Sequence, residues 1–139
     1  MTGMVERATP GLVRKVVWLH VVDGEALCLR PHRSSQFYLP GGIVEGTDDR
    51  DALCRHVNAQ FGDALDVTTL SPAGSVSAPS DEDEQVRIEL VGFFAPASRL
   101  PVSSADIAEL RYLRADDAVR MSTLTRIFLS QLEAANVVE

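Results

Sequence analysis

The sequence has no apolar run long enough to span a membrane as a helix, and no apolar stretch near its start that reads as a signal segment. Both absences point to a cytoplasmic protein. Cysteine is scarce: Cys28 and Cys54 stand far apart in apolar surroundings. That excludes a disulfide framework or a zinc site of the usual spacing and fits buried thiols in a reducing compartment. Positive charge is not in excess either. With a formal net charge of −7, a broad surface for polymeric nucleic acid or for an acidic membrane is not expected, although a small nucleotide needs only a local site. No repeat, low-complexity tract or linker divides the 139 residues, which suit one domain over 1–139 with a loose polar leader over 1–11. The 45% hydrophobic and 24% charged content is that of an ordinary globular chain.

What is present centres on residues 37–62, FYLPGGIVEGTDDRDALCRHVNAQFG. Phe37 to Leu39 reads as a short strand stopped by Pro40, and Gly41-Gly42 as a sharp turn with exposed backbone. A helix is predicted from about Asp48 to Phe61. Its apolar stripe is Leu53, Val57 and Phe61, with Cys54 beside it, and Asp48, Asp49 and Asp51 crowd its N-terminus. His56 lies next to that stripe, where a lone histidine is ordinarily structural.

Around this stretch, Leu12 to Val22 predicts one long strand, Asp23-Gly24 a hairpin turn and Glu25 to Arg30 the returning strand, followed by the basic Arg30, His32 and Arg33. Val67 to Val76 reads as a weak strand broken by Pro72 and Gly74. Ser77 to Gln85 reads as a loop whose acidic run Asp81 to Glu84 is a solvated hairpin tip. Val86 to Ala95 reads as a central strand, with Val86, Ile88 and Leu90 on one face. The last helix is expected over Thr123 to Val137, packing through Leu124, Ile127, Phe128, Gln131, Leu132 and Ala135.

On Leu39-Pro40-Gly41-Gly42, on Val44-Glu45-Gly46 and on a helix closing at Gly62, the sequence resembles the Nudix (MutT-like) hydrolase family. Ile107 to Ala118, with Glu109 at its acidic position, is similar to the segment that precedes the family's last helix. The resemblance implies an α/β fold, the Nudix α/β/α sandwich with a mixed β-sheet between helices. Counted forward from Gly42, the first glutamate of the family's box falls on Asp48. Counted back from Gly62, the box arginine falls on Arg55 and the three helical glutamates on His56, Ala59 and Gln60. The loop at Gly46 and Thr47 is therefore one residue short, and no carboxylate occupies the helical face.

Positions 56, 59 and 60 share one side of a helix. Glutamates there would gather Mg²⁺ or Mn²⁺, which prefer oxygen ligands. Ala59 offers none, Gln60 a neutral carbonyl and His56 a nitrogen, so divalent-metal binding is expected to be weak. The resemblance implies that Arg30, Arg33, Gly41, Gly42 and Arg55 hold substrate phosphates, that Glu45 and Asp48 remain as metal ligands, and that Asp48 and Glu109 are the catalytic groups. Two ligand-directed functions follow, and a structural one beside them. One is a pyrophosphohydrolase for a nucleoside diphosphate linked to another group, its metal assembled from Glu45, Asp48 and Glu109. The other, which the missing carboxylates favour, is a protein that binds a nucleotide or phosphorylated small molecule with weak or lost hydrolysis. A structural subunit with an empty cleft is a third. A homodimer would pair through an exposed edge at Leu12 to Val22.

Overall fold

The computed structural model describes residues 11–46, 48–62, 65–97, 101–102 and 104–138. The expected leader over 1–11 lies outside them except for Gly11, whose carbonyl accepts the Arg87 N–H at 2.6 Å.

Among the described residues, seven strands form two sheets. The first has the order β4 (Gly41–Ile43), β1 (Leu12–Leu19), β6 (Arg87–Phe94), β5 (Ser71–Pro79); β1 and β6 run parallel and the other pairs antiparallel. The second is antiparallel, with the order β2 (Val21–Val22), β3 (Glu25–Pro31), β7 (Ile107–Leu113). Alternation along β1 sends Val16 and Trp18 toward α1 (Asp49–Phe61), and Val17 and Leu19 toward α2 (Thr123–Ala134). The two helices thus cover opposite faces of β1, and each face has its own apolar cluster. Trp18 is fully buried, with its indole N–H donating to Ala95 O at 2.8 Å.

The expected strand over Leu12 to Val22 breaks at His20, because β1 and β2 belong to different sheets. Nor does β1 offer an edge for a homodimer. It is hydrogen-bonded by β4 on one side and β6 on the other, and β4 and β5 take the outer positions. The Asp23-Gly24 turn is as expected: both residues have positive φ, 53° and 80°, which suits a two-residue hairpin between β2 and β3.

Phe37 to Leu39 is not a regular strand. Tyr38 exchanges both backbone bonds with Leu29, at 2.8 and 2.9 Å, and Phe37 bridges to Met121. These isolated bridges tie β3 to the chain entering α2. The Gly41-Gly42 turn is also corrected, since both glycines lie in β4, paired with Val17 and Val16. An added Cβ at Gly41, whose φ is 148°, would stand 1.9 Å from Val16 O. Close backbone approach requires that glycine.

The segment from Val67 divides into a 3-10 turn (Val67–Thr69), capped by Asp66, and β5. As an edge strand with a register shift between Pro72 and Gly74, β5 accommodates both residues and runs on to Pro79, shortening the expected loop. The acidic tip is not wholly solvated. Asp81 accepts the Thr123 N–H at 3.0 Å and its hydroxyl at 2.5 Å. Strand β6 is interior, as expected, and α2 ends at Ala134, short of Val137. Gln131 and Ala135 are exposed, while the polar member of the buried face is Thr125.

Candidate ligand site

Helix α1 forms where the apolar spacing places it, with Leu53, Val57 and Phe61 buried and Gly62 closing it. Asp48 is its N-cap, and its side chain accepts from Arg50 N at 2.7 Å and Asp51 N at 3.3 Å. The face at 56, 59 and 60 turns toward β4. His56 Nε2 lies 2.8 Å from Ile43 O, which makes it the protonated nitrogen, because a carbonyl can only accept. Gln60 Nε2 donates to Gly41 O at 3.3 Å. The imidazole rests on Gly42, where an added Cβ would stand 2.6 Å from Nδ1. Ala59 is exposed. Two side chains of this face are therefore spent on β4 carbonyls.

The other candidate residues are dispersed. Glu45 is exposed before α1, and Thr47, half of the shortened loop, lies outside the described residues. Arg55 is on the exposed side of α1 and Arg33 in the exposed loop after β3. Glu109 pairs with two arginines, 3.5 Å from Arg30 Nε and 3.9 Å from Arg111 Nε. Among the described residues, no three histidine, cysteine, aspartate or glutamate side chains converge where they could hold a metal ion. Glu45, Asp48 and Glu109 are thus not brought together.

No family model and no curated protein matches the sequence. Solved structures do. The MutT Nudix hydrolase from Burkholderia pseudomallei superposes with a TM-score of 0.70 at 23% identity, over 87% of this chain and 98% of that one. The MutT protein from Methanosarcina mazei Go1 gives 0.68 at 18% identity, over 90% and 95%. A Nudix hydrolase from Nitrosomonas europaea gives 0.68 at 15% identity, over 88% and 89%. The chain has the Nudix fold. The likeness is one of architecture, a mixed α/β arrangement with helices on both faces, as the sequence resemblance implied.

Within the Nudix fold, α1 is the helix on which the sequence resemblance sets the metal-binding face. The residues present do not fit that role. Gln60 Oε1 is buried without a hydrogen-bond partner among the described residues, so it is one neutral oxygen. Beside it stand a methyl group and an imidazole whose Nε2 is bonded to Ile43 O. That is not the near-octahedral set of hard oxygens that Mg²⁺ takes.

A cleft of about 120 Å³ opens on the sheet face opposite α1, lined by Lys15, Tyr38, Asp81, Glu82, Ser122 and Thr125 among others. Sequence reasoning missed it. The available signal was Lys15, the cation that β1 carries on the same face as Val17, while its neighbour Arg14 points to the other face. The Ser122 hydroxyl donates to Thr125 Oγ1 at 2.8 Å, so two hydroxyls border the cleft where α2 begins.

Proposed function

We propose that this Nudix-fold chain binds a nucleotide or another phosphorylated small molecule, with metal-dependent hydrolysis weak or lost. One observation carries the reading: on α1 the two polar side chains at 56 and 60 pin the helix to β4 carbonyls, in the place where the resemblance sets carboxylates. A helix face occupied in holding the fold together is not free to gather a metal. Binding needs no such metal. Lys15 supplies a cation inside the cleft, beside the carboxylates of Asp81 and Glu82, and Arg30, Arg33 and Arg55 supply positive charge at the surface. The Nudix hydrolases that share the fold motivate a nucleotide-linked ligand, as does a UDP-X diphosphatase of the same architecture, TM-score 0.62 at 14% identity. The single-domain organisation and a cytoplasmic location remain part of this proposal. Among the described residues, no helix is long and apolar enough to cross a membrane.

The test is a thermal-shift screen of nucleotides, nucleoside diphosphate conjugates and sugar phosphates, each with and without Mg²⁺ and Mn²⁺, with product assays alongside. Ligand at about a hundred times its Kd adds about 2.7 kcal/mol of stability without turnover. The expected result is stabilisation by at least one ligand in the absence of metal, with no release of phosphate or nucleoside monophosphate. Tight Mg²⁺ binding abolished by Glu45→Gln or Asp48→Asn, together with efficient hydrolysis, would overturn the proposal in favour of an active hydrolase.

A further inference from the structure

The outer strands are β4 and β5 in the first sheet and β2 and β7 in the second. An outer strand offers unpaired N–H and C=O groups to any other chain, and proteins blunt such edges with shortness, proline or irregularity. Here β4 has three residues and β2 has two. β5 carries Pro72 and Pro79 and a register shift between Pro72 and Gly74. β7 is different. It runs for seven residues without proline, glycine or lysine, and its irregularity, opposite Arg30 and Pro31, is confined to its start. Among the described residues, β7 pairs with β3 and with no other strand.

The backbone directions of β7 follow from β3. Leu29 exchanges both backbone bonds with Tyr38, and the Leu27 N–H donates to His20 O. These two residues stand opposite Leu110 and Tyr112 in the antiparallel ladder. Where opposed residues do not bond each other, both turn their backbone groups away from the shared side. Leu110 and Tyr112 therefore aim their N–H and C=O groups out of the sheet edge. Glu109 and Arg111 alternate with them and share one face, their side chains 40% and 48% exposed. Glu109 is 3.5 Å from Arg30 Nε and 3.9 Å from Arg111 Nε, both beyond the hydrogen-bonding range, so its carboxylate is open to a better partner.

We propose that β7 is a self-association edge, pairing antiparallel with β7 of a second copy of this chain about a two-fold axis at Leu110. Charge selects both the occupant and the register. With Leu110 and Tyr112 facing outward, a symmetric pairing must place its axis on a residue. An axis at Glu109 sets two glutamates face to face and one at Arg111 sets two arginines so, and like charges directly opposite are destabilising. An axis at Leu110 sets Glu109 opposite Arg111 of the partner subunit, and Arg111 opposite Glu109 of the partner subunit, as an isologous interface requires. Both pairs then occupy non-hydrogen-bonded positions, where opposed Cα atoms are about 4.5 Å apart and side chains come closest. The pairing joins two three-stranded sheets into one continuous antiparallel sheet. A single strand pair buries less than the roughly 1,200 Å² of a stable complex, so the dimer dissociates on dilution, and salt weakens it.

The experiment is sedimentation velocity on the full chain from about 1 μM to about 1 mM, at low and high salt, with amide hydrogen exchange followed by NMR at both ends of that range. Circular dichroism and Tm show that each variant is folded. The expected result is a dimer that grows with concentration, shrinks with salt, and adds exchange protection at the Leu110 and Tyr112 amides. Arg111→Glu and Glu109→Arg each weaken self-association about tenfold or more, because both cross-strand pairs turn repulsive at once. An equal mixture of the two variants dimerises again, since each supplies the charge the other needs. The double variant carrying both substitutions also recovers, because exchanging the charges leaves the pairing self-complementary. A chain that stays monomeric up to about 1 mM, as when the edge takes an extended peptide of another protein instead, overturns the inference. So does a dimer that Arg111→Glu leaves intact, or one whose added protection falls on β5 and not on Leu110 and Tyr112.

Discussion

An added methyl at Gly41 would meet backbone, 1.9 Å from Val16 O, whereas one at Gly42 would meet the His56 ring, the end of a side chain that can move. The two glycines therefore differ in cost. Gly41→Ala should destabilise by roughly 1–3 kcal/mol or more, as overpacking against a rigid neighbour does. Gly42→Ala should cost less, and less still in a His56→Ala background. Urea denaturation of the four proteins in that cycle measures the coupling. No coupling would show that the ring does not rest on Gly42. The sequence showed that these positions tolerate unusual backbone, yet a glycine needed for a turn and one needed for close strand packing are written identically. Only the pairing of β4 with β1 separates them.

Helix α1 was readable before its structure because its signals are local: the spacing of Leu53, Val57 and Phe61, the cap at Asp48 and the glycine at its end. Its capping role is testable by itself. Asp48→Ala should cost roughly 0.5–2 kcal/mol, while Asp48→Asn, whose amide oxygen also caps, should cost almost nothing. Equal losses in both variants, by chemical denaturation, would show that the charge matters more than the cap. What the local pattern could not show was the use of His56 and Gln60 as donors to β4. Changing His56→Glu, Ala59→Glu and Gln60→Glu together removes both donors and sets carboxylates against carbonyl oxygens. Without metal the triple variant should be roughly 2–4 kcal/mol less stable. Mg²⁺ or Mn²⁺ should restore part of the loss, and metal-dependent release of phosphate or nucleoside monophosphate should rise above wild type. A metal-free triple variant as stable as wild type would refute the pinning role. Wild-type hydrolysis as strong as the triple variant's would refute the lost-activity reading.

At the scale of the whole molecule, His20 is where the chain leaves one sheet for the other. Its ring stacks on Trp18 at 5.1 Å, meets Tyr112 edge-on at 5.7 Å, and its carbonyl accepts the Leu27 N–H. Partial burial disfavours the imidazolium, so the folded pKa lies below the ordinary 6.5. The unfolded chain then takes up the proton first, and the contribution of neutral His20 to stability, present at neutral pH, is lost as pH falls through and below 6.5. Replacing His20 with Asn should flatten this part of the Tm–pH curve, and an unchanged slope would show that His20 is not its source. By itself the sequence determined what depends on near neighbours: the hairpin at Asp23-Gly24, the cap and stripe of α1, the apolar run of β6 and the glycine frame that resembles the Nudix box. The tertiary structure alone decided that 12–22 divides between two sheets, that β1 is interior, that Lys15 and Ser122 border one cleft, and that Glu109 lies between Arg30 and Arg111. Periodicity states which face of an element is apolar. It does not state which strand pairs with which, or in what register, and those long-range choices bring the charged groups together.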